Sequence, residues 1–148
     1  MYSDTITLFN RKRQKSGDTW YATVLRGVDL NADKAAVVEK YGATSKDAAL
    51  LHVKFAIQEG GIAVGGKPYY QPKAWQALEN PAEAITFTDG ESFDFFWDGE
   101  WDGETEISDD AYGIDGFYDY MNRARDGVYA ISSAARYSVI PHFEIVGK

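Results

Sequence analysis

The sequence predicts a mainly β fold, a small single-domain barrel or sandwich with one or two short helices. Three observations carry that expectation. Runs rich in β-branched and aromatic residues recur along the chain, among them T-I-T-L-F at 5–9, W-Y-A-T-V-L at 20–25 and A-L-L-H-V-K-F at 49–55, and such runs suit a pleated, half-buried surface. Glycine and polar turn residues separate them. Only residues 117–125 show a clear helical period, with Phe117, Tyr120, Met121 and Ala124 on one face.

Taken in order, Ile6 and Leu8 alternate with polar neighbours and make 5–9 a strand. Paired with 20–25 it gives a hairpin, whose long polar tip holds Ser16-Gly17-Asp18 and the basic residues Arg11, Lys12, Arg13 and Lys15. Gly27 marks a bulge or bend before 28–30 continue the strand. Asp33 to Tyr41 has two readings. Asp33 as cap, Ala35-Ala36 and Gly42 fit a helix. Val37-Val38 and a turn at Ser45-Lys46-Asp47 fit an extended hairpin, which is the expectation adopted here.

Gly65-Gly66 turns the hairpin I-A-V-G-G-K-P-Y-Y. One or two helical turns start at Pro72, and Asn80-Pro81 ends them. Residues 84–88 and 93–97 read as strands linked across Asp89-Gly90, and 98–116 as an acidic loop inserted in the domain. Gly127 caps the helix. Two apolar runs, 128–131 and 137–145, flank Ser132-Ser133-Ala134-Ala135 and form the closing hairpin. His142 to Ile145 alternate polar and apolar, and Pro141, lacking an N–H, belongs at an edge or a bulge. No repeat or linker is expected in a single domain spanning 1–148, whose last strand ends the fold.

Composition narrows the functional classes. At 148 residues, 45% hydrophobic and 15% aromatic, the chain can bury a core without staples. No apolar run is long enough to cross a membrane as a helix, and Met1-Tyr2-Ser3-Asp4 does not begin a secretory signal. Without cysteine there is no disulfide, thiolate nucleophile or cysteine-type zinc site. A net charge of −8 argues against a general nucleic-acid binder. The charge is polarised: residues 89–126 hold thirteen acidic residues against Arg123 and Arg125, opposite in sign to the basic tip. A cytosolic protein, or one built into a particle assembled in the cytosol, is expected.

Few constellations point to chemistry. Gly61-x-x-x-x-Gly66-Lys67 resembles a phosphate-binding loop, but Pro68 stands where Ser or Thr is needed, and a turn is the better reading. Asp98, Glu100, Asp102, Glu104 and Asp109, with Gly103 and Glu106, fall at ligand positions of a twelve-residue calcium loop and are the candidate cation ligands. The match departs at Glu100, Thr105 and the short Asp109. His52 and His142, the only histidines, each read as a lone packed strand histidine. Trp97 and Trp101 sit in the acidic loop, where exposed tryptophans mark contact surfaces. With Arg11, Lys12, Arg13 and Lys15 they form the expected interface. No catalytic residues, no enzymatic activity and no cofactor are expected.

Several stretches resemble a group of small prophage proteins found among head and connector genes and labelled minor capsid proteins. D-T-I-T-L-F-N with W-Y-A-T-V-L-R-G-V, D-K-A-A-V-V-E-K-Y-G at 33–42, Y-Y-Q-P-K-A-W-Q at 69–76, residues 117–122 and S-V-I-P-H-F-E-I-V-G-K carry the likeness. More loosely, the N-terminal hairpin, the G-G-K turn and the final H-F-E-I strand are similar to the head-closure (stopper) proteins of long-tailed phages, although the insertion between Phe96 and Phe117 is longer than a minimal stopper needs.

The resemblance implies a virion protein, assembled in the bacterial host cytoplasm, of the head–tail connector or neck. It implies a homo-oligomeric ring, six- or twelve-fold, contacting portal or adaptor and tail proteins, with phage DNA passing its lumen without specific binding and no membrane involved. In such a ring the basic tip meets a neighbour's acidic loop, or the acidic loops line the lumen. Three other readings stay open: a phage-encoded binding module engaging its partner through Trp97 and Trp101, a tail-tube or terminator subunit, and an enzyme acting on a basic or polyhydroxylated substrate.

Overall fold

Alternation along the first strand separates two cores. In β1 (Asp4–Lys12), Ile6 and Leu8 point one way and Phe9 the other, and all three are fully buried. The same split runs through β7 (Phe95–Trp97), where Phe96 joins Ile6 and Leu8 while Phe95 stacks on Phe9 at 4.7 Å between ring centroids. Strands apolar on both faces must be covered on both. The rest of the chain supplies the two covers.

The computed structural model describes residues 2–32 and 48–148. Besides β1 and β7 these contain β2 (Thr19–Asn31), β3 (Ala49–Lys54), β9 (Val128–Tyr137) and β10 (His142–Gly147). The order β1-β7-β9-β10-β3-β2, with β2 returning to β1, closes six antiparallel strands into a barrel. A seventh, β8 (Glu106–Ser108), pairs with residues 19–21 of β2. A small meander of β4 (Ala56–Gln58), β5 (Gly61–Val64) and β6 (Lys67–Pro68) stands beside it. Leu25, Val28, Leu51, Val53, Phe143 and Ile145 join Ile6, Leu8 and Phe96 inside the barrel.

The second core lies on the outer face of β1, β2 and β7. Helix α2 (Gly116–Ala124) lays Phe117 and Met121 on Phe9, Trp20, Phe95 and Val128. The helix expected at 117–125 is therefore observed, shifted by one residue; of its predicted apolar face Phe117 and Met121 are buried, whereas Tyr120 and Ala124 are exposed. The other α-helix among the described residues, α1 (Pro72–Gln76), starts at the predicted proline and drops Trp75 into a fully buried position.

Two glycine expectations hold for a stated reason. Gly27 has φ +68 and occupies the step where the β1–β2 register shifts, since Asp4 pairs with Val28 but Thr5 with Arg26. Gly65 and Gly66, at φ +58 and +82, make the tight turn between β5 and β6. A Cβ on Gly65 would lie 2.6 Å from Leu25 Cδ2. Gly65→Ala is therefore expected to cost about 1–2 kcal/mol in urea unfolding, from left-handed strain plus displacement of a core leucine.

Other expectations change. Residues 84–88 join no ladder: Ile85 makes one isolated bridge to Tyr69, while Ile85 and Phe87 turn into the barrel core. Their backbone is tied instead by the Asn10 amide, which donates to Thr86 O at 2.7 Å, and by the Asp94 carboxylate, which accepts the Thr88 N–H at 2.9 Å. The closing hairpin does not turn at residues 132–135. Ser133, Ala134 and Ala135 continue β9 opposite Val146, Ile145 and Glu144, and the turn falls at 138–141. Pro141 sits in that turn, its carbonyl accepting the Phe55 N–H at 3.3 Å. Residues 98–116 are not a bare loop, because Ile107 is buried beside Trp20 and brings β8 onto the sheet. The helix-or-strand question at 33–41 lies outside the described residues.

Candidate functional site

The predicted basic tip is only partly available. The Arg11 guanidinium lies 4.4 Å above the Trp20 ring, 5.1 Å from Phe93 and 4.0 Å from the Asp18 carboxylate. It is engaged within its own chain. Gln76 of α1 fastens the tip, donating to Arg11 O at 2.6 Å and accepting the Arg13 N–H at 3.1 Å. Lys12 is half-buried, and Arg13 and Lys15 are exposed. The acidic segment reaches the same hairpin, since the Asp109 N–H donates to Asp18 O at 3.0 Å and Asp110 lies against Gly17. Basic and acidic patches thus meet within one chain, and of the tip's basic residues Arg13 and Lys15 face solvent.

Trp97 and Trp101 are half-buried rather than free. The segment carries a tandem repeat after all, W-D-G-E at 97–100 and again at 101–104. Each ring lies over the glycine two residues on: a Cβ on Gly99 or Gly103 would come within 2.5 or 2.6 Å of its tryptophan. Arg125 sits against both rings, 4.6 Å from Trp97 and 5.2 Å from Trp101. The indole N–H groups donate to Asp126 O at 3.2 Å and Glu104 O at 2.9 Å, and Trp101 meets Phe9 and Phe117 edge-on. Both tryptophans serve as roof of the second core.

The calcium-loop residues are not gathered. Glu100 pairs with Arg26 at 2.6 Å on the surface. Asp109 Oδ1 accepts both the Trp20 Nε1–H and the Phe117 N–H at 2.8 Å, a structural task at the start of α2. Asp98, Asp102 and Glu104 are exposed. Among the described residues, the carboxylate and imidazole atoms that come within 4.8 Å of one another in a group of three belong elsewhere, to His52, His142 and Glu144. Reading each histidine alone missed this; the strand register that aligns 49–55 with 142–145 was the signal. Lys67, of the G-G-K turn, donates to Thr23 Oγ1 and Ala82 O, both at 2.9 Å, and burial lowers its pKa.

What the surface does present is a projecting hairpin. Tyr137, Val139 and Ile140 at the β9–β10 turn are 47%, 99% and 70% exposed. Along 133–137, β9 pairs with β10 and, among the described residues, with no second strand. Beside it runs a groove of about 300 Å³ lined by Tyr69, Pro72, Phe87, Ala134, Arg136 and Phe143. It adjoins a second hollow of about 540 Å³ formed by Ile62, Tyr70 and Lys73 with the same Tyr69 and Arg136.

These features define a small closed β-barrel with one roofed outer face and one protruding apolar hairpin turn. The chain belongs to a family of unknown function (DUF6751), whose model matches residues 1–148. No curated protein and no solved structure matches it.

Proposed function

We propose that the chain is a non-enzymatic structural subunit of the head–tail connector of a tailed phage, a head-closure-type protein that assembles as a homo-oligomeric ring in the virion. The observation that carries this reading is the hairpin tip. Val139 and Ile140 project from the β9–β10 turn and, among the described residues, belong to neither hydrophobic core, and adjacent exposed aliphatic side chains of this kind mark protein contacts. The groove beside the open side of β9 supplies a second, unlike patch on the same protomer. Head-to-tail rings require two such patches on every subunit. The sequence likeness to phage connector proteins points the same way.

The contact set proposed from sequence shifts accordingly. Trp97, Trp101 and Arg11 act within the subunit, while Tyr137, Val139 and Ile140, with Arg13 and Lys15, face the neighbours. The test is mass in solution by light scattering across a concentration series, alone and with a portal ring. Wild-type protein is expected to self-associate or to load onto the portal. Val139→Asp combined with Ile140→Asp is expected to remain a folded monomer that does neither. Wild-type protein that stays monomeric and ignores the portal would remove the connector reading.

A further inference from the structure

We propose that His52, His142 and Glu144 form a binding site for one divalent transition-metal ion of the zinc, cobalt or nickel type. The three residues stand on one outward face of the barrel. His52 and Glu144 are directly opposite each other in the β3–β10 ladder, and His142 is two residues from Glu144 on the same side. The imidazole rings are 5.6 Å apart between centroids, and one ligand atom from each of the three residues lies within 4.8 Å of the other two.

The ring partners fix which nitrogens face the ion. His142 Nδ1 is 2.6 Å from Ile140 O, so this nitrogen carries the proton and Nε2 keeps its lone pair. Asp29 stands directly opposite His52 on β2 with its carboxylate 3.5 Å from Nδ1, a placement that favours the same tautomer. Its Nε2 then points to Glu144 Oε2, 3.8 Å away. A carboxylate behind a ligating imidazole is the usual second shell of a metal-binding histidine.

The spacing is compatible with a bound ion. Hydrogen-bonded imidazole–carboxylate pairs close to about 2.7–3.2 Å, whereas donors around tetrahedral zinc, with bonds near 2.1 Å, stand about 3.4 Å apart. The 3.8 Å gap between His52 and Glu144 is nearer the second value. Two imidazole nitrogens and one carboxylate oxygen select borderline metals over calcium or magnesium, and three protein ligands leave a coordination position open. The ion would clamp β10 to β3 at the root of the projecting hairpin, where Tyr137 stacks on His142 at 5.1 Å.

The chain has two histidines and no cysteine, so an imidazole-ligated metal signal can come only from His52 and His142. The experiment uses full-length, tag-free, metal-stripped protein titrated with zinc by calorimetry and with cobalt by visible absorption. One zinc per chain is expected, with ligand-field bands in the cobalt form and a higher melting temperature. His52→Gln and His142→Gln should each weaken zinc binding by more than about 100-fold, and Asp29→Asn by about 10–100-fold as a second-shell change. All three should melt like wild type in chelator. In wild type, stoichiometric zinc should shift the imidazole NMR resonances of both histidines, a readout that needs no variant. Absence of binding, unmoved imidazole resonances, or wild-type affinity in the double histidine variant would each overturn the site.

Discussion

Asp94→Ala is expected to lower stability by about 3 kcal/mol, because it strips the acceptors from three buried or half-buried donors at once. Asp94 Oδ1 accepts the Arg11 N–H at 2.8 Å, and Oδ2 accepts the Asn10 amide and the Thr88 N–H, both at 2.9 Å. Its own backbone bonds to Thr88 O and to the Ile131 N–H. Asp94, just ahead of β7, thus joins β1 and the 84–88 segment through its side chain and β9 through its backbone. Burial pushes its carboxyl up to about 7, against the opposing pull of the Arg11 N–H, the Asn10 amide and the Thr88 N–H.

The sign of the pH effect follows from that shift. The folded-state pKa, about 7, exceeds the ordinary 3.8. Between those values the folded chain holds a proton that the unfolded chain does not. Asp94 therefore adds stability as pH falls through about 7, fully so below 3.8, and that contribution is lost as pH rises through 7. Asp94→Asn keeps the shape and an acceptor for one N–H but turns an amide donor toward the others. It should be less stable than wild type and lack this pH-linked gain. Urea midpoints of both proteins at pH 8 and pH 6 decide the matter. Equal changes in the two proteins would mean that Asp94 is not the titrating group.

The difference between Asp94 and its neighbours shows where sequence legibility stops. Ile6, Leu8, Leu25 and Ile145 could be placed in strands because alternation is a local property. Asp94, between Phe93 and Phe95, reads locally as one more surface acid. Only the approach of Asn10 and Arg11, distant in sequence, makes it a buried hub. Ser132 to Ala135 do not read as strand in the sequence, because small residues are neutral toward strand and turn alike. Their membership of β9 rests on pairing with β10. Phe95 and Phe96 were legible as strand, but not as facing different cores, since the second core exists only once α2 folds back. The W-D-G-E repeat was readable. Its spacing of glycine two residues after tryptophan anticipates a ring lying flat on the backbone.

Phe117→Ala should have the largest effect of any single change on the outer layer, about 3–5 kcal/mol. Phe117 is fully buried and touches nearly every aromatic group of the second core: Tyr112 at 4.8 Å, Phe9 at 5.2 Å, Trp101 at 5.6 Å and Phe95 at 5.8 Å between centroids. Truncation leaves a cavity ringed by stiff side chains that cannot collapse into it. The barrel interior, built from Leu8, Val53, Ile131 and their neighbours, has no share in this residue. The predicted consequence is uneven loosening: proteolytic cleavage concentrated within residues 98–116 while the β-sheet circular dichroism persists. Asp109→Ala should act on the same unit, because Asp109 Oδ1 holds the Phe117 N–H and the Trp20 indole. Combined with Phe117→Ala it should add less than its separate cost, as expected for groups that share partners. Simple additivity, or cleavage spread evenly along the chain, would show that roof and barrel unfold as one body. The acidic side chains at 98, 102 and 104 would then owe their fixed positions to the barrel directly instead of to the aromatic layer beneath them.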